Sequence, residues 1–429
     1  MGERVTAVIH AARLLTLRGG DHPRRGPGME DLGQVRDGAL LLRAGRILRV
    51  GPTDEVMRDA GRVDHLVDLS GKPWTVLPGF VDSHSHPVFH GTRQAEYELR
   101  IRGASYEEIA AQGGGILNSA RRVAEADEAA IADQAVRFAH VFLEHGTTTL
   151  EAKSGYGLSL EGELKLLRAV RDVRGRTPLD LVPTFLGAHA YPVEYRENHR
   201  PYLDLIIREM LPAVAREGLA AFCDAFCDRG FFSVGETREI FGAARALGLK
   251  LRLHADELAP VGAAELAAEM GALSADHLER VSDDGIRAMA EAGTIAGLLP
   301  GTAFNLGLEH YPPARRLIEA GVPVALATDF NPGTCFTPNL QLVMAIACTQ
   351  MRMTPAEALV AATVNGAWSL GLGHDRGTLE AGKRADFTVM DCDDYRLIPY
   401  LFGVNHCVET FKDGRPVRDP GRWGCVENW

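Results

Sequence analysis

Short apolar, β-branched runs alternate along the chain with longer segments in which apolar residues recur at helical spacing. The helical segments, such as 162–173, 234–248 and 282–293, end at or next to a glycine. This alternation is typical of repeated βα units around a parallel sheet. The pattern predicts eight strands, at 76–86, 147–155, 179–190, 220–227, 250–257, 272–279, 293–301 and 323–330.

Eight strands alternating with helices predict an α/β fold of the (β/α)8 TIM-barrel type. Both ends of the chain differ from this pattern, because 38–52, 377–391 and 408–417 read as short strands joined by turns. Neither end alone has enough apolar surface for a core. We therefore predict a small β-sandwich domain built from both termini. The predicted division is a composite β domain at 1–70 and 375–429, and a barrel at 71–374.

Composition and charge narrow the class of protein. The 429 residues accommodate a barrel of about 250 residues and a second domain. With 46% hydrophobic and 24% charged residues, the chain has the composition of a globular protein. A formal net charge of −11 offers no overall basic surface, so we expect no nucleic-acid partner.

The N-terminal segment and the cysteines indicate the compartment. His10 and Arg13 interrupt the apolar residues of the first twenty positions, which disfavours a signal peptide. No uninterrupted apolar run of about 18 residues occurs, so we expect no membrane span. The seven scattered cysteines do not suggest a disulfide framework, and Cys223 and Cys227 are interpreted as core thiols. These features predict a cytoplasmic protein.

Residues capable of chemistry concentrate at the carboxyl ends of the predicted strands, where a (β/α)8 barrel builds its active site. Side chains at i and i+2 of a strand point to the same face, so His84 and His86 can converge on one ligand. The candidates are His84 and His86 on the first strand, His254 and Glu257 on the fifth, His277 on the sixth and Asp329 on the eighth.

Three imidazoles and one carboxylate suit zinc or iron, and His84, His86, His254 and Asp329 supply this set. A bound metal would activate water, which then needs a proton acceptor. Glu257 and Asp329 are both candidates for this general base, although Glu257 could instead orient a ligand. His277 could stabilise an oxyanion or shuttle a proton, the alternative being a buried structural histidine.

Other polar residues follow the first three strands. Arg93 could form a bidentate pair with a substrate carboxylate. Tyr156 and His189, at the second and third strand ends, are further candidates for substrate contact. Lys153 could be a carboxylated bridging ligand, but a structural or substrate-facing lysine is favoured.

The motifs PGFVDSHSH (78–86), HADE (254–257), ADHLE (275–279), ATDFNPGT (327–334) and GTLEAGKRADFTVMD (377–391) together resemble the amidohydrolase superfamily, in order and over nearly the whole chain. Within that superfamily, five more specific motifs resemble the imidazolonepropionase family. They are HPVFHGTR (86–93), GGGI (113–116), EAKSGYGL (151–158), LGAHAYP (186–192) and DFNPGT (329–334).

This resemblance implies hydrolysis of 4-imidazolone-5-propanoate, a small substrate with a carboxylate, to N-formimidoyl-L-glutamate in histidine degradation. It implies one zinc or iron ion per subunit on the four ligands named above, with His277 beside the reacting water. Strand 220–227 carries no lysine, which favours a single metal. A homodimer is common in the family. The positions matching those that hold substrate or product are Arg93, Tyr156, His189, Glu257, Asn331, Gly333 and Thr334.

Two rival interpretations remain. A deaminase of purines or pyrimidines from the same superfamily would share the metal ligands but would not require Arg93. A non-catalytic relative acting as a scaffold or binding protein would be expected to lose metal ligands, whereas this chain retains all four candidates.

Overall fold

The computed structural model describes residues 4–19, 21–58, 60–104, 108 and 114–417. Sixteen strands in the described part of the chain form two sheets, one parallel and one mixed. In chain order the strands are β1 Val5–Leu15, β2 Gln34–Arg43, β3 Arg46–Pro52, β4 His65–Asp68, β5 Thr75–Pro78, β6 Phe80–Asp82, β7 Thr147–Lys153, β8 Asp180–Ala188, β9 Phe222–Cys227, β10 Lys250–Ala255, β11 Ser274–His277, β12 Ile295–Leu298, β13 Val324–Leu326, β14 Phe387–Met390, β15 Cys407–Lys412 and β16 Arg415–Pro416.

Strands β6 to β13 form the barrel, each pairing in parallel with the next strand along the chain. The ring closes just beyond the ladder, where Ser85 bridges Phe330 in parallel. Asp82 supports this closure because its carboxylate accepts from the backbone N–H of Thr328, at 3.0 Å, and from its hydroxyl, at 2.6 Å. The predicted (β/α)8 architecture is confirmed.

Helices connect these strands, and local sequence signals fix several of their ends. Ser233 and Glu236 form a capping box at the start of the helix Val234–Ala246. Gly293, with φ of 79°, ends the helix Asp283–Ala292. The α-helices are Thr53–Arg58, Gln94–Ile101, Ile116–Glu125, Glu128–Glu144, Leu160–Arg174, Arg200–Leu205, Leu211–Glu217, Val234–Ala246, Ala263–Met270, Asp283–Ala292, Pro300–Leu306, Ala314–Glu319, Leu340–Met351, Pro355–Val360, Gly366–Ser369 and Leu397–Tyr400.

Strands from both termini form the second sheet, in the order β16-β15-β14-β5-β1-β2-β3. The first half of β1 also pairs in parallel with β4, whereas its second half pairs with β5. A register shift between Val8 and Ala11 separates the two halves. The predicted β unit built from both chain ends is therefore confirmed, as one connected sheet that branches at β1.

The first predicted strand, 76–86, is wrong in extent, because the structure divides it between the two sheets. Thr75–Pro78 pairs with β1 and β14, and Phe80–Asp82 begins the barrel. Gly79 lies at the junction, where an added Cβ would overlap Thr148. Strand β5 thus belongs to the terminal sheet although it falls within 71–374, and the exact domain boundaries stay a prediction.

Apolar side chains fill the space between the barrel strands and their helices, with Phe185, Leu253 and Leu298 fully buried. Cys223 and Cys227 are buried in the same core. Because of this apolar packing, the barrel wall is rigid and close-packed, and it holds the polar side chains at its carboxyl end in fixed positions.

Among the described residues, no helix is long and apolar enough to cross a membrane.

Candidate metal centre and active site

The segment after β6 and the segment after β13 are paired, and this pairing brings three predicted ligands together. The backbone N–H of Asp329 donates to the carbonyl of His84 at 3.0 Å, and that of His86 donates to Phe330 at 2.8 Å. Asp329 itself has φ of 51°, a left-handed conformation uncommon outside glycine. Such strain at the end of a strand is frequent at functional sites.

The three side chains meet at distances that suit a metal. Nε2 of His84 lies 3.6 Å and Nε2 of His86 lies 3.4 Å from Oδ1 of Asp329. Ligands placed about 2.1 Å from a tetrahedral zinc are separated by about 3.4 Å, so these spacings match. His254 joins the group through His84, since the ligand atoms of His84, His254 and His277 all lie within 4.8 Å of one another.

The chemistry of these groups also fits a bound cation. Nε2 of His84 and Nε2 of His254 are buried and have no hydrogen-bond partner in the described part of the chain. Burial lowers the pKa of His84 and of His86 well below the ordinary value, with positive Lys153 adding to the shift. Both imidazoles are therefore neutral at physiological pH and can donate a lone pair.

The outer nitrogens of two of these histidines are fixed by carboxylates. Nδ1 of His84 donates to Asp276 at 2.8 Å, and Nδ1 of His254 donates to Asp224 at 3.0 Å. With the proton on Nδ1, each Nε2 carries the lone pair that ligation requires. Neither aspartate was predicted as a site residue. The ADHLE motif contains Asp276, and Asp224 is the one charged side chain within β9.

Two largely buried carboxyl groups lie beside His277. Its Nδ1 is 3.6 Å from Oε2 of Glu257 and 3.9 Å from Oε2 of Glu279. Burial raises the pKa of Glu257 well above the ordinary carboxyl value, and the nearby Glu279 and Asp329 raise it further. Burial likewise raises the pKa of Glu279 to about 8. Sequence reasoning found Glu257 and His277 but missed Glu279, the last residue of the ADHLE motif.

His277 is held in an unusual backbone conformation with a neutral ring. Its φ is 76° and that of Leu278 is 70°, so the chain turns sharply as it leaves β11. Burial lowers the pKa of His277 to about 3. A neutral imidazole at this position can donate a hydrogen bond or relay a proton.

The rings of Tyr156 and His189 lie beside the candidate metal ligands. The rings of His189 and His86 stack with their centroids 5.2 Å apart. The ring centroids of Tyr156 and His189 are 5.3 Å apart. Nδ1 of His189 must donate to the carbonyl of Gly155, at 2.9 Å, because a carbonyl can only accept. Nε2 of His189 is thus left as an acceptor. Burial raises the pKa of Tyr156, which keeps its hydroxyl protonated.

The carboxylate of Glu163 shapes the loop that carries Tyr156. It accepts from the backbone N–H groups of Gly155 at 3.0 Å, Gly157 at 2.8 Å and Leu158 at 2.9 Å. Glu163 is fully buried at the start of the helix Leu160–Arg174. Since these bonds satisfy three loop donors at once, Glu163 fixes the position of Tyr156.

Arg93 is near enough to Tyr156 for its charge to oppose the rise in the pKa of that residue, and its side chain is 10% exposed. Its guanidinium pairs with Glu96, at 2.7 Å, and Glu96 also accepts from the backbone N–H of Gly115 at 3.1 Å. Arg93 packs closely on Gly333, where an added Cβ would overlap its Nη1. The GGGI motif is thus linked to the arginine indirectly, through the bond from Gly115 to Glu96, although residue 113 lies outside the described residues.

The DFNPGT loop is organised by Asn331. Its Oδ1 accepts from the backbone N–H groups of Gly333 at 2.8 Å and Thr334 at 2.7 Å. Its Nδ2 donates to the carbonyl of Asp329 at 2.7 Å. These polar groups bond to one another, so the loop presents Gly333 to Arg93 in a fixed shape. Direct contact of Asn331, Gly333 and Thr334 with substrate stays a prediction.

Lys153 lies beneath the ligands, fully buried between two carboxylates. Its Nζ is 2.8 Å from Glu151 and 2.6 Å from Asp224. Burial alone would lower the pKa of Lys153, but Asp224 and Glu151 outweigh burial and raise it above the ordinary value. A lysine held as ammonium supports the structural alternative over a carboxylated metal ligand.

Comparisons with known proteins agree with this geometry. A family model described as the amidohydrolase family matches residues 103–418. An imidazolonepropionase from Solibacter usitatus is 50% identical, over 96% of this chain and 98% of its own length. One from Geobacillus kaustophilus is 48% identical over 97% of this chain and 98% of its own.

Among solved structures, a zinc-bound adenosine deaminase from Xanthomonas campestris is similar, with a TM-score of 0.70 over 96% of this chain and 92% of that one. Its 18% sequence identity supports likeness of fold alone. The identity to the two imidazolonepropionases extends over nearly the whole chain and includes both sheets. The chain therefore belongs to the imidazolonepropionase family, whose members are metal-dependent amidohydrolases acting on a cyclic amide.

Proposed function

We propose that this protein hydrolyses the ring amide C–N bond of 4-imidazolone-5-propanoate to give N-formimidoyl-L-glutamate, a step of histidine degradation. The observation that carries the proposal is that Arg93 packs on Gly333, four residues after the candidate ligand Asp329, and that its charge acts on Tyr156. A planar guanidinium pairs with a carboxylate, and the substrate has one. The two relatives named as imidazolonepropionases support the same reaction.

We further propose that one zinc or iron ion per subunit is held by His84, His86, His254 and Asp329. Such an ion polarises the carbonyl under attack and lowers the pKa of water. Three imidazoles and a carboxylate are compatible with both metals. His277 also lies within reach of His84 and His254, and we assign it to the substrate oxygen because the other four residues complete a ligand set.

The catalytic residues have separate tasks in this proposal. Glu257 or Asp329 accepts the proton of the attacking water, and His277 donates a hydrogen bond to the oxygen that becomes negative. The ring nitrogen takes a proton as the C–N bond breaks. Because its pKa is raised, Glu257 can hold that proton and deliver it after the attack. Tyr156, His189 and the DFNPGT loop enclose the imidazolone ring, while Arg93 holds the propanoate.

A substrate panel separates this reaction from deamination. The purified protein is assayed with imidazolone propanoate and, at equal concentration, with purine and pyrimidine bases. We expect turnover of imidazolone propanoate alone. Ammonia release from a nucleobase with a higher kcat/KM would instead favour the deaminase. Metal analysis of the same sample tests the non-catalytic alternative, which predicts no bound zinc or iron and no turnover.

Substitution of Arg93 tests the carboxylate contact. In Arg93→Ala we expect KM for imidazolone propanoate to rise about 30-fold, as loss of a charged hydrogen bond worth about 2 kcal/mol predicts, with a smaller change in kcat. Arg102→Ala is the control, since this arginine is 72% exposed and pairs with Glu98 on the adjacent helix. Equal KM values for Arg93→Ala and the unmodified protein would remove Arg93 from the binding site.

The cellular setting follows from the same proposal. We propose a cytoplasmic homodimer that acts on a small molecule, without a nucleic-acid or membrane partner. The acidic net charge of −11 supports the absence of a nucleic-acid partner. A sedimentation coefficient corresponding to a 46.5 kDa monomer would contradict the dimer.

A further inference from the structure

Five charged side chains are fully buried together beneath the metal-ligand cluster. Each of them is 0% exposed, although charged residues are rarely buried unless they are paired. None of them was assigned to metal binding or to substrate contact. This buried charge cluster consists of Glu151, Lys153, Asp224, Arg252 and Asp276.

Ion pairs join the cluster into one chain. Lys153 bridges Glu151 and Asp224 at 2.8 and 2.6 Å. Arg252 bridges Glu151 and Asp276 at 3.1 and 2.9 Å. Glu151 is thus the centre of the chain, and an aspartate lies at each end.

Each end of the chain bonds to a different histidine. Asp224 accepts from Nδ1 of His254, and Asp276 accepts from Nδ1 of His84. The sequence of contacts therefore runs without a gap from one proposed metal ligand to the other. Each aspartate also pairs with a cation, Asp224 with Lys153 and Asp276 with Arg252. Neither carboxylate can therefore turn relative to its histidine without breaking an ion pair.

The cluster is anchored to the barrel backbone as well. Arg252 donates to the carbonyls of Ser83, at 2.7 Å, and Ser369, at 2.8 Å. Thr184 donates its hydroxyl proton to Glu151 at 2.6 Å. Space for Asp276 is provided by Gly297, where a Cβ would overlap Oδ1 of Asp276. The segment after β6, the strands β8 and β12 and the helix Gly366–Ser369 thus all contribute to the position of these charges.

We propose that Lys153 is a positioning residue of the metal centre, which orients the ligand His254 by fixing Asp224, while Arg252 orients His84 through Asp276. The inference rests on the ligand assignment in the proposed function and assigns a task to Lys153. Partners that orient metal-bound histidines are worth about 10- to 100-fold in metal affinity.

Charge repulsion alone predicts the opposite change in metal affinity when Lys153 is removed, so an affinity measurement can distinguish the two explanations. Lys153 is a positive charge near the site of a cation, so its removal would tighten metal binding if simple repulsion were its only effect. Loss of orientation weakens metal binding instead, because Asp224 is then free to leave Nδ1 of His254.

The test is the metal affinity of Lys153→Met in the full-length protein. Zinc Kd is measured by competition against a chelator of known affinity, and the absorption spectrum of the cobalt-substituted protein reports the ligand geometry. We expect Kd to rise about 10- to 100-fold and the cobalt spectrum to change. Lys412→Met is the matched control, because Lys412, at the end of β15, is also buried between two carboxylates, Asp386 before β14 and Asp180 at the start of β8. It should leave both readouts unchanged.

A second variant covers the case in which Lys153→Met does not fold. The double substitution Lys153→Met with Glu151→Gln removes one charge of each sign and so preserves the net charge of the cluster. The proposal predicts weaker zinc binding in the double variant too. A Kd equal to or below that of the unmodified protein in a folded variant overturns it, while zinc binding by the unmodified protein keeps the proposed function intact. An unmodified protein that binds no zinc, iron or cobalt overturns both.

Discussion

His86→Ala is expected to lose the bound metal and at least about 100-fold in kcat/KM, more than the loss of an outer hydrogen-bond partner costs. Nε2 of His86 lies 3.4 Å from Asp329 in the ligand cluster. Its outer Nδ1 has no carboxylate partner among the described residues, whereas His84 and His254 bond to buried aspartates. Of the three histidines, His86 can therefore be removed with the smallest effect on folding. Metal content and kcat/KM are measured on the same sample.

The control for this substitution comes from the same loop. His90 is only four residues away and lies outside the ligand cluster, so His90→Ala should retain both metal and activity. Thermal unfolding of both variants shows whether they are folded. Full metal content and full activity in His86→Ala would remove this residue from the metal centre.

Glu257→Gln is expected to reduce kcat about 100- to 10,000-fold, the range for loss of a general acid or base. Because burial raises the pKa of Glu257, its carboxyl stays protonated to a higher pH than an exposed one, and the basic form becomes available only above that pKa. Activity that depends on the basic form therefore rises with pH through the pKa of Glu257. In the unmodified protein, the acid limb of the profile of kcat/KM against pH should lie at a higher pH than the pKa of an ordinary carboxyl group. In Glu257→Gln this limb should be absent.

Glu291→Gln is the control, since Glu291 is exposed on the helix Asp283–Ala292. It should leave kcat and the pH profile unchanged. If Glu257→Gln kept full turnover, Glu257 would not be the base and Asp329 would take its place. The two carboxylates also differ in their expected effect on the bound metal, since Asp329→Asn should release it.

Much of the fold could be predicted because its signals are local and repeated. Each barrel strand is a buried apolar run followed by a helical segment, and the count of eight then implies closure. The closeness of the candidate ligands could be predicted for the same reason, as His84, His254 and Asp329 follow or end separate strands and parallel strands end on one face. The junction at Gly79 could not be seen, because the apolar residues on its two sides read as one strand although they belong to two sheets.

The outer carboxylates were harder to predict for a physical reason. Strand periodicity assigns neighbouring residues to opposite faces, so Asp276 should not serve the same site as His277. The positive φ of His277 ends the strand geometry at this point, and both side chains reach the site. A usable signal was present in β7, where Glu151 and Lys153 lie at i and i+2 in a strand whose other residues are uncharged. Two opposite charges on one inward face indicate a buried ion pair.

The most direct measurement is identification of the product in water enriched in ¹⁸O. The purified, metal-loaded protein is mixed with imidazolone propanoate, and the products are analysed by mass spectrometry. Hydrolysis of the ring amide predicts N-formimidoyl-L-glutamate with one ¹⁸O atom in its new carboxylate, together with loss of this product after chelation and recovery on adding zinc or iron. Unchanged imidazolone propanoate, or turnover that persists without metal, would contradict the account.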